Sequence, residues 1–284
     1  SLRLFRSRRS ENQLIKGCLM SVVDDTVEVI PSGIGISAVR PDGKEKVKGD
    51  FIFSSDLSSE GMLWGQTLRS PHSSAKILSI DISDALAISG VHAVLTADDV
   101  PGENIFGLER ADQPVLADAF IRYAGEPVAI VAADHPEVAR KATDAIKVEY
   151  EILSPLVDSY EAITAKAIHP EGNVIRHLNI VHGDTEAVGD VIVEGEYEVG
   201  MQDQAFMGTE SGMAIPSPDG GIDLQISTQW LHSDQEQVAT ALNMPIEMVR
   251  VTLAGVGGAF GGREDVSMHV HLCMLALYTG KPVK

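Results

Sequence analysis

The residues of this chain best suited to chemistry lie in a glycine-rich segment, residues 255–265. Five glycines occur within the eight residues from Gly255 to Gly262. Ordering glycine costs more backbone freedom than ordering any other residue, so such a cluster is typical where the backbone turns through positive φ or lies bare against a ligand. Phe260 and Glu264 add an aromatic ring and a carboxylate. The segment predicts a backbone cradle for a ligand; a turn that serves only close strand–helix packing is the alternative.

The cradle differs from the common phosphate-binding loops. No Gly-Lys-Ser/Thr sequence ends it, as a P-loop requires, and the third glycine of a dinucleotide-binding loop would fall at Phe260. We expect a strand at Val249–Leu253 and a helix at Asp265–Tyr278, which would place free backbone N–H groups at a helix N-terminus. Glu264 and Asp265 would repel a full phosphate there. The expected ligand is therefore polar but not strongly anionic, such as an oxo oxygen.

Gln229 is a second candidate, because it ends a predicted strand just before Trp230, where the chain turns into a helix. A turn at Ser217–Gly221 between two apolar stretches predicts that this strand is the second of a hairpin. A neutral amide at a strand end can donate a hydrogen bond to an oxygen without adding charge. An amide that only satisfies nearby backbone groups is an equally good interpretation from the sequence.

Three other polar residues receive mainly structural interpretations. His269 and His271 are two positions apart and would point to nearly opposite sides of a helix, so we expect them to pack or to face solvent rather than to share a metal. Glu210 follows Gly208 and Thr209 and is interpreted as a loop carboxylate with local hydrogen bonds. Contact with a ligand is the alternative for Glu210.

Two α/β modules are expected to position these residues. The continuous apolar run Pro127–Ala133 is typical of a strand buried on both faces, and the alternating run Val191–Val199 of a half-buried strand that opens the second module. The predicted organisation is an N-terminal extension, a first module, a connecting segment and a second module, at residues 1–46, 47–156, 157–188 and 189–284.

Charge and cysteine content exclude several classes of function. A formal net charge of −19 disfavours a nucleic-acid partner, and no apolar run approaches the roughly 20 residues that a membrane span needs. Two cysteines, Cys18 and Cys273, cannot form a Cys₄ zinc site, hold an iron–sulfur cluster or build a disulfide framework. The composition favours the reducing cytoplasm, and any redox reaction would pass its electrons to a partner.

Several sequence motifs together resemble a known family. Ser227–Gln229, the helix after it and Gly257–Glu264 resemble the molybdenum-binding large subunit of the xanthine dehydrogenase and aldehyde oxidase family. Gly65–Ile77, Gly90–Gly102 and Tyr123–Ala129 resemble the α/β hammerhead domain of that family. The resemblance covers roughly residues 35–284 and implies a mixed α/β (α+β) fold. A hammerhead domain would be followed by the first, truncated part of a molybdopterin-binding domain.

The resemblance also implies roles for particular residues. Gln229 matches the glutamine that hydrogen-bonds a molybdenum oxygen, and Phe260 and Gly261 match the loop whose backbone N–H groups approach the metal, with Gly258 in the same cofactor-binding loop. Glu264 matches the carboxylate that orients a purine. No side chain is expected to ligate the metal directly. The catalytic base of the family would lie beyond Lys284, so no catalytic residue is assigned in this chain.

The function implied is the hydroxylation of a purine such as xanthine, with water as the oxygen source, at a molybdenum–molybdopterin cofactor that could also be a dinucleotide form. FAD and 2Fe–2S clusters are expected on partner subunits or domains. The chain alone is expected to be inactive without the C-terminal part of the large subunit. Glu264, preceded by Arg263, favours xanthine over simple aldehydes. An aldehyde oxidase-type or other heterocycle hydroxylase subunit, and a non-catalytic assembly subunit, are the alternatives.

Overall fold

The computed structural model describes residues 34–284, which belong to two compact units. The first unit ends at Phe51, and the second begins at Ile52. Residues 1–33 of the predicted N-terminal extension, with Cys18, lie outside the described part. In the first unit, helix α1 spans Gly43–Lys48, and Gly49 ends it at φ +80°. A hydrogen bond from Arg40 is the largest cause that lowers the pKa of Asp42 beside this helix.

The second unit contains the other helices and all the strands of the described chain. Its strands are β1 (Trp64–Arg69), β2 (Ala75–Asp81), β3 (Val91–Leu95), β4 (Phe120–Ile121), β5 (Pro127–Ala133), β6 (Lys147–Ile152), β7 (Gly212–Pro216), β8 (Ile222–Ile226) and β9 (Val249–Leu253). Its helices are α2 (Ser83–Leu86), α3 (Pro136–Ala145), α4 (Ser159–Thr164), α5 (Leu231–Leu242) and α6 (His269–Thr279).

The first two sheets lie in the part of the sequence before residue 153. One has the order β1-β5-β3 and the other the order β4-β2-β6, and every pair in them is antiparallel. Each residue of β5 is buried, as the continuous apolar run predicts. Helix α3 packs against this sheet through Ala139 and Ala142, which belong to the same apolar cluster as Val131. Apolar packing and the pairing of β5 with a strand on each side therefore hold this sheet together.

The third sheet positions the candidate site. Strands β7 and β8 form the predicted hairpin, and β9 pairs parallel to β8 with Ile226 opposite Leu253. Parallel pairing of β8 and β9 requires a crossover, which α5 supplies. Because both strands end at the same sheet edge, the segments that follow Ile226 and Leu253 start side by side. Gln229 lies in the first of these segments and the glycine-rich loop in the second.

Two sequence expectations for this region are wrong. Helix α6 begins at His269 and not at Asp265, so the glycine-rich loop does not open directly into a helix N-terminus. Residues 260–268 are not helical, and Val266 and Met268 pack against the apolar core from this irregular segment. The run Val191–Val199 is not a strand, and Val193 and Tyr197 are 87% and 90% exposed. An alternating sequence needs a neighbouring strand, and the described residues place none beside it.

Candidate functional site

Gln229 and the glycine-rich loop are joined by a short set of hydrogen bonds. The backbone N–H of Gln229 donates to the carbonyl of Arg263 at 3.0 Å, and the backbone N–H of Arg263 donates to Oε1 of Gln229 at 3.2 Å. The side-chain amide nitrogen of Gln229, Nε2, donates a hydrogen bond to Oε1 of Glu264 at 3.4 Å. The structure thus brings together two of the residues that the sequence singled out, Gln229 and Glu264, on one exposed face.

Phe260 occupies a backbone conformation that L-residues rarely adopt. Its φ is +55°, between Gly258 at +107° and Gly261 at +84°. For a residue other than glycine this conformation costs of order 1–3 kcal/mol, and such strain clusters at functional sites. The ring of Phe260 is not stabilised by burial, because the residue is 77% exposed. A strained loop that presents an exposed ring is unusual for a purely structural turn.

The backbone amides of this loop are available to a ligand. Among the described residues, the N–H groups of Phe260 and Gly261 have no hydrogen-bond acceptor, whereas the N–H of Gly262 closes a turn onto Ala259 at 2.9 Å. Asp265 and Glu264 lie just after these amides. The surface therefore combines free N–H donors with nearby carboxylates and suits the weakly anionic ligand expected from the sequence.

A segment that sequence reasoning did not assign to the site, residues 206–210, packs against the loop. A Cβ atom on Gly257 would lie 2.5 Å from the backbone nitrogen of Gly208, and one on Gly262 would lie 2.7 Å from Cε1 of Phe206. Met207 donates its N–H to the carbonyl of Gly257 at 3.1 Å. Gly257 is therefore required for the close approach of two backbones, and Gly262 for the packing of the Phe206 ring against the loop.

Arg263 is a second residue whose place in the site the sequence did not indicate. The residue is 3% exposed, and its guanidinium group lies 4.2 Å from the centre of the Phe206 ring. Its Nε donates to the carbonyl of Gly258 at 3.2 Å, and its Nη2 donates to the carbonyls of Gly208 and Thr209. In the sequence Arg263 is one more charged residue after the glycine cluster, and its burial and these bonds are what place it in the site.

Glu210 is a loop carboxylate, as expected, but its partners are distant in the sequence rather than local. Its Oε1 lies 3.0 Å from Nη1 of Arg263, as an ion pair that lacks hydrogen-bond geometry at that nitrogen. Its Oε2 accepts a bond from the hydroxyl of Ser267 at 3.3 Å. The positive charge of Arg263 is thereby balanced by Glu210 within the protein.

A buried polar layer supports the segment that carries Gln229. The hydroxyl of Thr228 donates to the carboxylate of Asp234 and accepts the N–H of Trp230 at 3.2 Å. His269 lies with its Nε2 3.5 Å from the same carboxylate, and both residues are buried. Asp234 is thus hydrogen-bonded to the segment that carries Gln229. No side chain caps the N-terminus of α5.

His271 contacts a different part of the chain, as the spacing of the two histidines predicts. Its Nε2 lies 2.8 Å from the carbonyl of Val115, a residue of the first module. Burial is the largest cause that lowers the pKa of His271 to about 4, and the hydrogen bond to Val115 opposes it. Both histidines therefore pack in the interior, and they do not share a partner.

The arrangement suits an organic cofactor better than a metal held directly by side chains. Across residues 34–284, no group of three or more His, Cys, Asp or Glu residues could hold a metal ion. The donors present are instead the amide of Gln229 and the backbone N–H groups of Phe260 and Gly261, which can bind the oxygens of a bound group. No helix in that same range has the length and apolarity to cross a membrane.

Two protein families match the chain. Residues 48–154 match the family described as "Aldehyde oxidase and xanthine dehydrogenase, a/b hammerhead domain", and residues 168–284 match the "Molybdopterin cofactor-binding domain". The second match contains Gln229 and the whole glycine-rich loop.

Curated relatives include subunits of molybdenum enzymes. A probable xanthine dehydrogenase subunit of Bacillus subtilis is 38% identical over 87% of this chain and 34% of its own length. The "Nicotinate dehydrogenase large molybdopterin subunit" of Eubacterium barkeri is 36% identical over 88% of this chain and 60% of its own length. The chain therefore spans between about a third and three fifths of these two relatives.

Solved structures give the same fold. The aldehyde oxidoreductase of Desulfovibrio gigas superposes with a TM-score of 0.77 at 27% identity, covering 86% of this chain and 29% of that one. Quinoline 2-oxidoreductase of Pseudomonas putida 86 superposes with a TM-score of 0.77 at 28% identity, covering 88% of this chain and 34% of that one.

Proposed function

Because the chain belongs to the aldehyde oxidase and xanthine dehydrogenase family, we propose that it is part of the molybdopterin-bearing large subunit of a hydroxylase that oxidises a purine such as xanthine. The observation that supports this most is the pair of hydrogen bonds between Gln229 and the backbone of Arg263, which places Gln229 beside the loop that carries the free N–H groups of Phe260 and Gly261. The cofactor would supply the two-electron oxidation of the substrate, with the oxygen taken from water.

In this proposal each site residue has a defined task. Gln229 donates a hydrogen bond to an oxygen of the cofactor through its amide nitrogen, because its Oε1 is already engaged by the N–H of Arg263. Phe260 and Gly261 direct their backbone N–H groups at the same group, and Gly258 gives the loop the positive φ that it needs there. Preorganised donors of this kind contribute on the order of 3–4 kcal/mol each to catalysis in water-excluded sites.

Glu264 determines the class of substrate in this proposal. Its carboxylate lies beside Gln229, and the nearest buried cation, Arg263, is already paired with Glu210. A neutral heterocycle with ring N–H groups can donate to Glu264, whereas a ring that carries its own carboxylate would be repelled. This charge argument favours a purine over nicotinate, the substrate named for one relative. An aldehyde gains nothing from the carboxylate.

Electron transfer and assembly complete the proposal. With one described cysteine, Cys273, which is buried, residues 34–284 offer no iron–sulfur ligands, so partner subunits or domains would carry the 2Fe–2S clusters and FAD. The C-terminal part of the large subunit would complete the cofactor site and supply the catalytic base. The 284-residue chain by itself is proposed to be inactive, and the low cysteine content favours a cytoplasmic location.

The test uses the complete protein that carries this chain, produced together with its partner subunits in a host that makes the cofactor. Molybdenum is measured in the purified complex, and turnover is compared for xanthine, nicotinate and benzaldehyde in H₂¹⁸O. We expect stoichiometric molybdenum, xanthine as the best substrate and ¹⁸O in the product.

Glu264→Gln separates the substrate classes within the same assay. The substitution should lower kcat/KM for xanthine by about 10–100-fold, the value of one hydrogen bond to a charged group, and should leave benzaldehyde turnover unchanged. Molybdenum without turnover of any of the three substrates would refute the purine assignment. A purified complex that contains no molybdenum would instead favour the non-catalytic assembly subunit.

A further inference from the structure

We infer that Arg263 is the positioning residue of this site, acting through the backbone of the glycine-rich loop rather than through contact with a ligand. Its guanidinium group is buried, so it is not available to a substrate. The glycine-rich sequence of the loop does not by itself require a positively charged residue at position 263. The inference rests on the proposed function only for what the positioned groups bind.

The side chain of Arg263 ties together two backbone segments that no regular secondary structure joins. On one side it binds the carbonyl of Gly258, within the loop. On the other it binds the carbonyls of Gly208 and Thr209. Because the planar guanidinium group has donors in fixed directions, it sets the orientation of these peptides and not merely their distance.

The backbone of Arg263 provides the second half of the linkage. Its N–H donates to Oε1 of Gln229, and its carbonyl accepts the backbone N–H of Gln229. Gln229 is therefore fixed at both its side chain and its main chain. The side-chain amide nitrogen of Gln229 donates to Glu264 and has a second N–H to offer a ligand. Two independent donor systems, the loop amides and the Gln229 amide, thus depend on the position of one residue.

Packing keeps this arginine in place. Phe206 covers the guanidinium face at 4.2 Å, and Glu210 balances the charge at 3.0 Å. A lysine could keep the ion pair with Glu210, but it cannot reproduce the planar set of bonds to three carbonyls. Arg263→Lys therefore removes the orienting bonds while it retains the charge.

Amide hydrogen exchange in the complete protein tests the inference without reference to turnover. In Arg263→Lys, the amides of Met207 and Gln229 should exchange at least tenfold faster than in the wild type, because the segments they join are released. The amides of Ile130 and Val131 in β5 should keep their wild-type rates. Exchange is readable in the complete protein even if it holds no molybdenum, so failure of the proposed function and failure of this inference are distinguishable.

Arg250→Lys is the matched control. Arg250 also pairs with two carboxylates, Asp219 and Asp223, but it contacts neither the loop nor residues 206–210. Its substitution should leave all four amides unchanged. Where the complex turns over, Arg263→Lys should lower kcat at least tenfold with KM changed by less than threefold, since the substrate does not contact this residue.

Two results would overturn the inference. The first is wild-type exchange at Met207 and Gln229 in both Arg263→Lys and Arg263→Ala. The second is evidence that Arg263 supports the fold as a whole rather than the site. Such evidence would be a uniform acceleration that includes Ile130 and Val131, or a failure of both variants to fold.

Discussion

The sheet around β5 and the site at the end of β8 are stabilised by different interactions. Ile130 and Val131 are fully buried among apolar side chains, whereas Gln229 and Phe260 are exposed, and Gln229 is held by hydrogen bonds to the backbone of Arg263. Apolar packing is non-directional and contributes mainly to stability. Hydrogen bonds fix direction but add little net stability, about 0.5–1.5 kcal/mol each. Stability and site geometry should therefore respond to different substitutions.

The largest effect on stability is expected in the sheet. Ile130→Ala removes a fully buried side chain from a close-packed core, which typically costs about 2–5 kcal/mol. Chemical denaturation should show this loss, while kcat per folded molecule should stay within about twofold of the wild type. A large fall in kcat for the folded variant would show that the two regions are not separable.

His271, which bonds the carbonyl of Val115, makes stability depend on pH. Burial lowers its pKa from 6.5 to about 4 in the folded protein, with smaller effects from Arg69 and His269. The unfolded chain binds a proton below pH 6.5 and the folded chain does not until about pH 4. The free energy of unfolding should therefore fall as the pH falls between these values, by on the order of 3 kcal/mol.

His271→Gln supplies the control for this prediction. Glutamine does not titrate, and its amide can still donate to the carbonyl of Val115. Denaturation curves at a series of pH values should show a shallower slope for the variant between pH 4 and 6.5. Equal slopes for the two proteins would assign the pH dependence to other groups.

At the site, the largest effect is expected from Gly257→Ala. The new Cβ would lie 2.5 Å from the backbone nitrogen of Gly208 and 2.9 Å from its Cα, so two backbones must separate. Displacement of this order costs about 100-fold in kcat, or about 2.7 kcal/mol. The control is Gly43→Ala, whose Cβ would meet only the Cβ of Arg40 at 3.6 Å. Steady-state assays of the complete complex check both, and wild-type kcat in Gly257→Ala would contradict the close approach.

The same contrast explains what the sequence could predict. Strand β5, the β7–β8 hairpin and helix α5 follow from local patterns, because apolar periodicity and turn residues report directly on burial. The pairing of Gln229 with the glycine-rich loop follows from the parallel register of β8 and β9, which the sequence does not display. Gln229 and Glu264 could still be singled out, because each stands out chemically from its neighbours.

The parts that could not be predicted depend on contacts between distant segments. In the sequence, Arg263 is one more charged residue after a glycine cluster, and only its bonds to Gly208 and Thr209 reveal its place. The sequence does not show where α6 begins, because the glycines and acidic residues before it do not determine where the helix starts to pack against the core. The run Val191–Val199 has the sequence of a strand but lacks a strand partner among the described residues.

We propose that Gln229 and the 257–264 loop together hold the molybdenum cofactor. Anomalous diffraction at the molybdenum absorption edge, on crystals of the complete complex, locates the metal directly. We expect one molybdenum peak per large subunit next to the Gln229 side chain and the Phe260–Gly261 peptide. A molybdenum peak elsewhere in the complex, with Gln229 and this loop facing only solvent, would contradict this cofactor site.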